Sequence, residues 1–164
     1  MAEAWLGLGS NLGDREAMLA AAVRELAATQ GVTVRAASPI YETPPWGPVA
    51  QGPYLNACVS LETVLPARGL LDLGLAIERR HGRERAVRWG PRTLDIDLLV
   101  YGDTAIDEAG LVVPHPHMAE RAFVLVPLAD IAPTLAIGGR PIATIIAALD
   151  TAGVTLRADL AALW

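Results

Sequence analysis

Two carboxylates stand two residues apart inside an apolar run, Asp95 and Asp97 in LDIDLLVYG. On a strand that spacing puts both on one face, with Cβ atoms roughly 7 Å apart. From there they can converge on two Mg²⁺ ions that also grip phosphate oxygens. Strands normally avoid Asp, so the pair points to chemistry more than to an acidic solvent face. The stretch just before it has the opposite sign. Arg79, Arg80, Arg83, Arg85, Arg88 and Arg92 supply six of the 13 basic residues, none of them Lys, and Glu84 is the only acid among them. Guanidinium forks match phosphate oxygens and stay charged. A cationic loop punctuated by Gly82, Gly90 and Pro91 that feeds a strand with two acids is what handling a polyphosphate with divalent metal requires.

A second constellation lies upstream. Thr43, Pro44, Pro45, Trp46, Tyr54 and Asn56 combine a stiff Pro-rich loop, aromatics and a side-chain amide. An amide on a strand face can read the donor and acceptor edge of a flat heterocycle. Trp89, among the arginines, and Phe123, the single Phe, can stack on a ring or simply pack. In PHPHM, His115 and His117 suit a turn that presents one imidazole to phosphate. With no third His nearby and no paired Cys, a zinc site is not expected. The run Gly7–Asn11 lacks both the G-x-G-x-x-G and the G-K-[ST] spacing, so it is neither a dinucleotide fingerprint nor a P-loop. Cys58 reads as a core residue.

The elements that must position these groups follow from periodicity. Ala4 to Leu8 forms a strand, and Met18, Leu19, Ala22, Val23 and Leu26 predict a helix over 15–29 with Asp14 as cap and Gly31 as stop. Val32 to Tyr41 is a second strand, bulged or at an edge because of Pro39. The loop that follows, with four prolines and two glycines between Thr43 and Pro53, is long for a plain connection. Leu55 to Leu65 is a third strand, on which Asn56 and Cys58 face away from Val59 and Leu61. Pro66 opens a second helix that Gly82 ends. Leu94 to Tyr101 is a fourth strand with Leu94, Ile96 and Leu98 toward the core. A short helical segment over 117–121, an apolar turn near 124–131 and a helix over 142–148 complete the chain. The order β-α-β-β-α-β predicts an α+β fold with a ferredoxin-like core: a mostly antiparallel four-stranded sheet, helices on one face, further C-terminal helices, and the other face left for loops and ligands.

Composition narrows the partners. A chain of 164 residues, 52% hydrophobic and 19% charged, is long enough for one domain with its own core. Its net charge of −5, with positive charge confined to one window, favours a small anionic ligand over nucleic acid. A single Cys predicts a reducing, cytoplasmic setting, and the absence of a long apolar run predicts no membrane span. A monomer is expected. Two other readings stay open on these residues alone: an RNA-binding module on the same kind of sheet, and a nucleotidyltransferase, which also uses an Asp-x-Asp pair.

GLGSNLGD at 7–14, YETPPWGP at 41–48, YLNA at 54–57, RWGPRTLDIDLLVYGD at 88–103 and VPHPHMAERAFVLVPL at 113–128 together resemble the motifs of the 6-hydroxymethyl-7,8-dihydropterin pyrophosphokinase family. The resemblance runs in order over residues 4 to 133. It implies transfer of pyrophosphate from ATP to the hydroxymethyl group of the pterin in folate biosynthesis, giving AMP and the pterin diphosphate. It implies Asp95 and Asp97 as ligands of two Mg²⁺ ions. It implies a pterin pocket of Thr43, Pro44, Pro45, Trp46, Tyr54, Asn56, Trp89 and Phe123. It assigns Glu78, Arg85, Arg88, Arg92, Leu98, His115 and Arg121 to ATP. Arg83 and Arg92 join the aspartates in catalysis, from a loop that closes over the substrates. Trp46 and Leu75 depart from the family pattern.

Overall fold

Strand β1 (Ala2–Ser10) sits inside the sheet because it has no exposed edge to spare: β4 (Tyr54–Thr63) pairs with it antiparallel on one side and β5 (Asp95–Tyr101) on the other. The computed structural model describes residues 1–45, 50–82 and 93–164. Beyond β4 lie β2 (Val32–Ala37) and β3 (Tyr41–Thr43), which share that strand as partner, and β10 (Thr155–Leu156) closes the order β10-β3-β4-β1-β5. The expected second strand is thus two strands, broken around Pro39, with a register shift between Val34 and Ala36. Proline has no N–H for the ladder, which is the physical reason for the break.

Helix α1 (Arg15–Ala28) and helix α2 (Ala67–Arg80) cover one face. Asp14 caps α1 by accepting from the Ala17 N–H at 3.1 Å, and Gly31 takes φ +86° just past its end. The helices bury Leu19, Leu26, Leu70 and Ile77 against Leu6, Leu8, Ala57, Val59, Leu61, Ile96 and Leu98. Alternation therefore holds as expected over the stretches of β1, β4 and β5 under these helices, and the architecture is α+β with an antiparallel sheet.

The opposite face differs from expectation. It is not left free along its length. Helix α3 (Ala122–Ile131) and helix α4 (Ile142–Ala147) cover one end, where Val124, Leu125, Leu128, Ile142 and Ile145 pack on Trp5, Cys58, Leu99 and Val100. The segment expected as an apolar turn is helical from Ala122 and carries Pro127 inside it. A bulge in β5 helps this packing. Trp5 is opposite Val100 and Leu6 is opposite Leu98, so Leu99 is an extra residue and both Leu99 and Val100 reach the second core. Hairpins β6–β7 (Ile106–Glu108, Leu111–Val113) and β8–β9 (Ala136–Ile137, Arg140–Pro141) decorate the sheet. No helix among the described residues is long and apolar enough to cross a membrane.

One close approach fixes the strand with the acids. A Cβ added at Gly74 of α2 would lie 3.2 Å from Ile96 Cγ2, so the helix seats directly on the residue between Asp95 and Asp97. Gly74→Val is expected to lower stability by about 1–3 kcal/mol through overpacking. Urea denaturation monitored by Trp fluorescence measures it, and an unchanged midpoint would contradict this seating.

Candidate active site

Register brings the separated motifs into rows. Gly9 lies between Asp95 on β5 and Asn56 on β4, and Gly7 lies between Asp97 and Cys58. All six point to the face away from α1 and α2. With strands about 4.8 Å apart, the acids and the amide stand roughly 10 Å from each other across a strip that carries no side chain. A Cβ at Gly9 would come within 3.1 Å of Asn56 Oδ1. The bare strip is the floor of a cleft of about 760 Å³, open solvent included, lined by Gly7, Leu8, Gly9, Thr43, Pro44, Tyr54, Asn56, Ala57, Cys58, Asp95, Asp97, Arg121, Phe123 and Val124.

At one end, Asn56 Nδ2 donates to Thr43 Oγ1 at 2.7 Å, and both side chains are buried. With Nδ2 on Thr43, the amide oxygen Oδ1 lies toward Gly9. Burial pushes the Cys58 thiol up, and Cys58 Sγ donates to the Val124 carbonyl at 3.5 Å. It is a lining residue, not a nucleophile. Between Thr43 and Tyr54 the Pro-rich loop leaves the sheet. Asn11 holds its far side by donating from Nδ2 to Gln51 Oε1 at 2.7 Å and to the Gly52 carbonyl at 3.1 Å.

At the other end Asp95 and Asp97 share the cleft with Arg121, whose guanidinium lies 5.8 Å from the Phe123 ring centroid. Helix α3 presents this pair from above the sheet. It is tethered by Tyr41, whose hydroxyl donates to Asp130 Oδ2 at 2.5 Å and whose pKa is pushed up to about 12 by burial and by that carboxylate. His115 is held to β5 through its own N–H, which donates to the Leu99 carbonyl at 2.8 Å. Its Nδ1 accepts from the His117 N–H at 3.2 Å, so the neutral ring carries its proton on Nε2. Burial first, then the positive charges of Arg121 and His117, hold its pKa down at about 4, against the opposing pull of Asp95.

Of the residues singled out from sequence, the fold gathers Thr43, Pro44, Tyr54, Asn56, Asp95, Asp97, Arg121 and Phe123 into this one cleft. Pro45 is exposed and outside the lining. Glu78 is buried behind β5, where its Oε2 accepts from the Ile96 N–H at 2.9 Å. The Leu98 side chain belongs to the helix-face core, but its main chain shares the outward orientation of Ile96 on an edge strand. Trp46, Arg83, Arg85, Arg88, Trp89 and Arg92 lie outside the described residues, as does the expected closing loop. The glycine floor was not anticipated. Its signal was legible, since glycines two apart on a strand mark a place where something approaches the backbone closely.

Among the described residues no three His, Cys, Asp or Glu side chains converge as a self-sufficient metal cage. Two carboxylates on one face of an open cleft nevertheless suit Mg²⁺, which keeps several waters and takes its remaining ligands from phosphates.

Comparison with known proteins agrees with this geometry. The profile of the family described as 7,8-dihydro-6-hydroxymethylpterin-pyrophosphokinase (HPPK) matches residues 5–133. A 2-amino-4-hydroxy-6-hydroxymethyldihydropteridine pyrophosphokinase of Methylorubrum extorquens is 53% identical over 154 residues, 94% of this chain and 98% of the relative. Its namesake in Bacillus subtilis is 49% identical over 128 residues, 78% of this chain and 77% of the relative. Among solved structures, an HPPK-DHPS in complex with substrates superposes with TM-score 0.70 at 13% identity, over 89% of this chain and 43% of that one. Wild-type HPPK-DHPS of Plasmodium falciparum gives 0.68 at 16%, over 89% and 44%. The chain spans less than half of those two, and at such identity the likeness shows fold alone.

The imidazole yields a test. Unfolded, His115 takes up its proton near 6.5; folded, it does so near 4. Between those values the unfolded state binds more protons, so stability falls as pH drops from about 6.5 toward 4 and is unaffected by this group above that window. An NMR titration is expected to place the His115 ring near 4, and His115→Asn to flatten the stability curve in that interval. A ring that titrates near 6.5 would refute the half-buried neutral state.

Proposed function

We infer that this chain, which belongs to the 7,8-dihydro-6-hydroxymethylpterin-pyrophosphokinase family, carries out its reaction in the cleft on β1, β4 and β5. The reaction is the transfer of pyrophosphate from ATP to the hydroxymethyl group of 6-hydroxymethyl-7,8-dihydropterin, a step of folate biosynthesis. The hydroxymethyl oxygen attacks the β-phosphorus, the bond from that phosphorus to the α,β-bridging oxygen breaks, AMP departs with the bridging oxygen, and the hydroxyl proton is released.

The observation that carries the site assignment is the row Asp95–Gly9–Asn56. It supports a division of the cleft into a heterocycle end and a polyphosphate end with nothing between them to block in-line approach. Asn56, fixed by Thr43, reads the donor and acceptor edge of the pterin; Tyr54 and Phe123 bound the ring, with Pro44 beside it. We assign Trp46 and Trp89, with Pro45, to the same pocket. At the polyphosphate end, Asp95 and Asp97 are the residues that would hold two Mg²⁺ ions, whose contribution when bound is to neutralise phosphate charge and acidify the attacking hydroxyl. We assign Arg121, which lines this end, and the neutral His115, which lies outside the lining and is a donor through Nε2, to the phosphates. Arg83, Arg85, Arg88 and Arg92 add charge that a loose transition state exploits. Glu78 serves ATP from behind β5 by holding its edge, where the Leu98 main chain offers an acceptor and a donor to the adenine. Neither histidine acts as base.

The strand order β5-β1-β4-β2, with a helix after β1 and after β4, supports reading the core as the split ferredoxin-like arrangement. We read the whole chain as one pyrophosphokinase domain, working in the cytoplasm as a monomer.

The deciding assay identifies products. AMP formed only when the hydroxymethyl pterin is present is expected; released pyrophosphate would indicate a nucleotidyltransferase instead. Asp97→Ala is expected to lower kcat by about a hundredfold or more with the fold intact, and chelation of divalent metal to abolish turnover until Mg²⁺ is restored. Should a variant lacking both aspartates still turn over, the metal assignment fails.

A further inference from the structure

We propose that Arg15 is a positioning residue for the heterocycle end of the cleft, clamping the Pro-rich loop 44–53 at both of its ends from the opposite face of the sheet. The proposal rests on the pterin reading of that end. The β3–β4 ladder stops at the pair Thr43–Tyr54, and both of those residues line the cleft. Immediately beyond it the chain has Pro44 and Pro45 on one side and Pro53 on the other, none with an N–H to continue the ladder. The loop must be held by something else at the point where its two lining residues emerge.

Arg15 supplies that hold. Its Nη1 donates to Glu42 Oε2 at 2.7 Å and to the Pro53 carbonyl at 3.1 Å. A guanidinium nitrogen of this kind carries two hydrogens, so one nitrogen can bridge the residue before Thr43 and the residue before Tyr54. Glu42 pairs with Leu55, whose side chain lies in the helix-face core, so Glu42 and Arg15 lie on the helix side while Thr43 opens to the cleft. Arg15 therefore touches none of the cleft and acts through its neighbours. It is anchored in turn: it is the first residue of α1, directly after the Asp14 cap. The C-terminal segment braces the same carboxylate. Arg157 Nη1 donates to Glu42 Oε2 at 3.2 Å while its Nε and Nη2 grip Asp159, each at 2.9 Å. Among the described residues Arg15 is the one that hydrogen-bonds both loop ends, since the side-chain bonds of Arg157 go to Glu42 and Asp159.

The test separates positioning from bulk stability. In Arg15→Ala the KM for the hydroxymethyl pterin is expected to rise about tenfold, the scale of one charge-assisted hydrogen bond, with the KM for ATP unchanged. Arg15→Lys, whose ammonium keeps charge and donors, is expected to recover part of that loss. Two control variants remove other ion pairs of the sheet, the first matched to Arg15 in exposure and the second more exposed. Arg157→Ala takes away the other partner of Glu42 and leaves the Pro53 link; Arg35→Ala removes the Arg35–Glu62 pair on β2 and β4. Both are expected to leave the pterin KM within about twofold of wild type. An unchanged pterin KM in Arg15→Ala, an equal rise for both substrates, or the same rise in Arg157→Ala would overturn the proposal. Wild-type protein that makes no AMP with the pterin would instead overturn the functional reading on which it stands.

Discussion

Everything in the site depends on the pairing of β1 with β5 and β4 in one antiparallel register. That register sets Gly9 between Asp95 and Asn56, and Gly7 between Asp97 and Cys58. Side chains alternate faces with a period of two, so a slip of one residue in the β1–β5 ladder would turn the acids into the helix-face core, and the same slip in the β1–β4 ladder would turn Asn56 there. The register is well defended. Leu6, Leu8, Ala57, Val59, Ile96 and Leu98 occupy the alternate positions and are buried under α1 and α2. The apolar half of each strand thus enforces the placement of the polar half.

A second consequence of the fold is that the ligand face is divided. Had it stayed bare from end to end, its apolar residues would have met water. Instead α3 and α4 cover Trp5, Cys58, Leu99 and Val100, and the bulge at Leu99 turns two consecutive residues toward them. The uncovered end is the one with glycines and polar groups. Helix α3 also reaches the cleft: its start carries Arg121 and Phe123 into the lining, and the bond from Tyr41 to Asp130 ties it to the strand that bears Thr43. One helix therefore seals the second core and roofs the site.

The loops obey a different logic from the sheet. Prolines at 44, 45 and 53 deprive the long loop of ladder bonds, so side chains from the β1–α1 turn take over: Asn11 on Gln51 and Gly52, Arg15 on Pro53 and Glu42. Such contacts are individually modest and partly exposed. An anchor of that kind holds the two ends of the loop where Thr43 and Tyr54 leave the ladder.

The sequence by itself determined the first two helices, the strands that pair at the centre of the sheet and the faces of β4 and β5. The period-two pattern of β4 and β5 assigned Asn56 and the two aspartates to one side, and the helical spacing of Leu19 to Leu26 assigned α1. Motif resemblance pointed to the pterin pyrophosphokinases. These are local or recognisable features, carried by neighbours in the chain. Tertiary structure alone decided what lies across from what. That Gly7 and Gly9 form the floor, that Glu78 turns its carboxylate to the Ile96 N–H, that the Leu98 side chain is taken up by the helix-face core, and that Arg15 bridges Glu42 and Pro53 all depend on pairing partners distant in sequence. Periodicity says which face a residue takes. It carries no information about which strand lies beside it, because the hydrogen bonds that choose a neighbour are made by a backbone common to every residue.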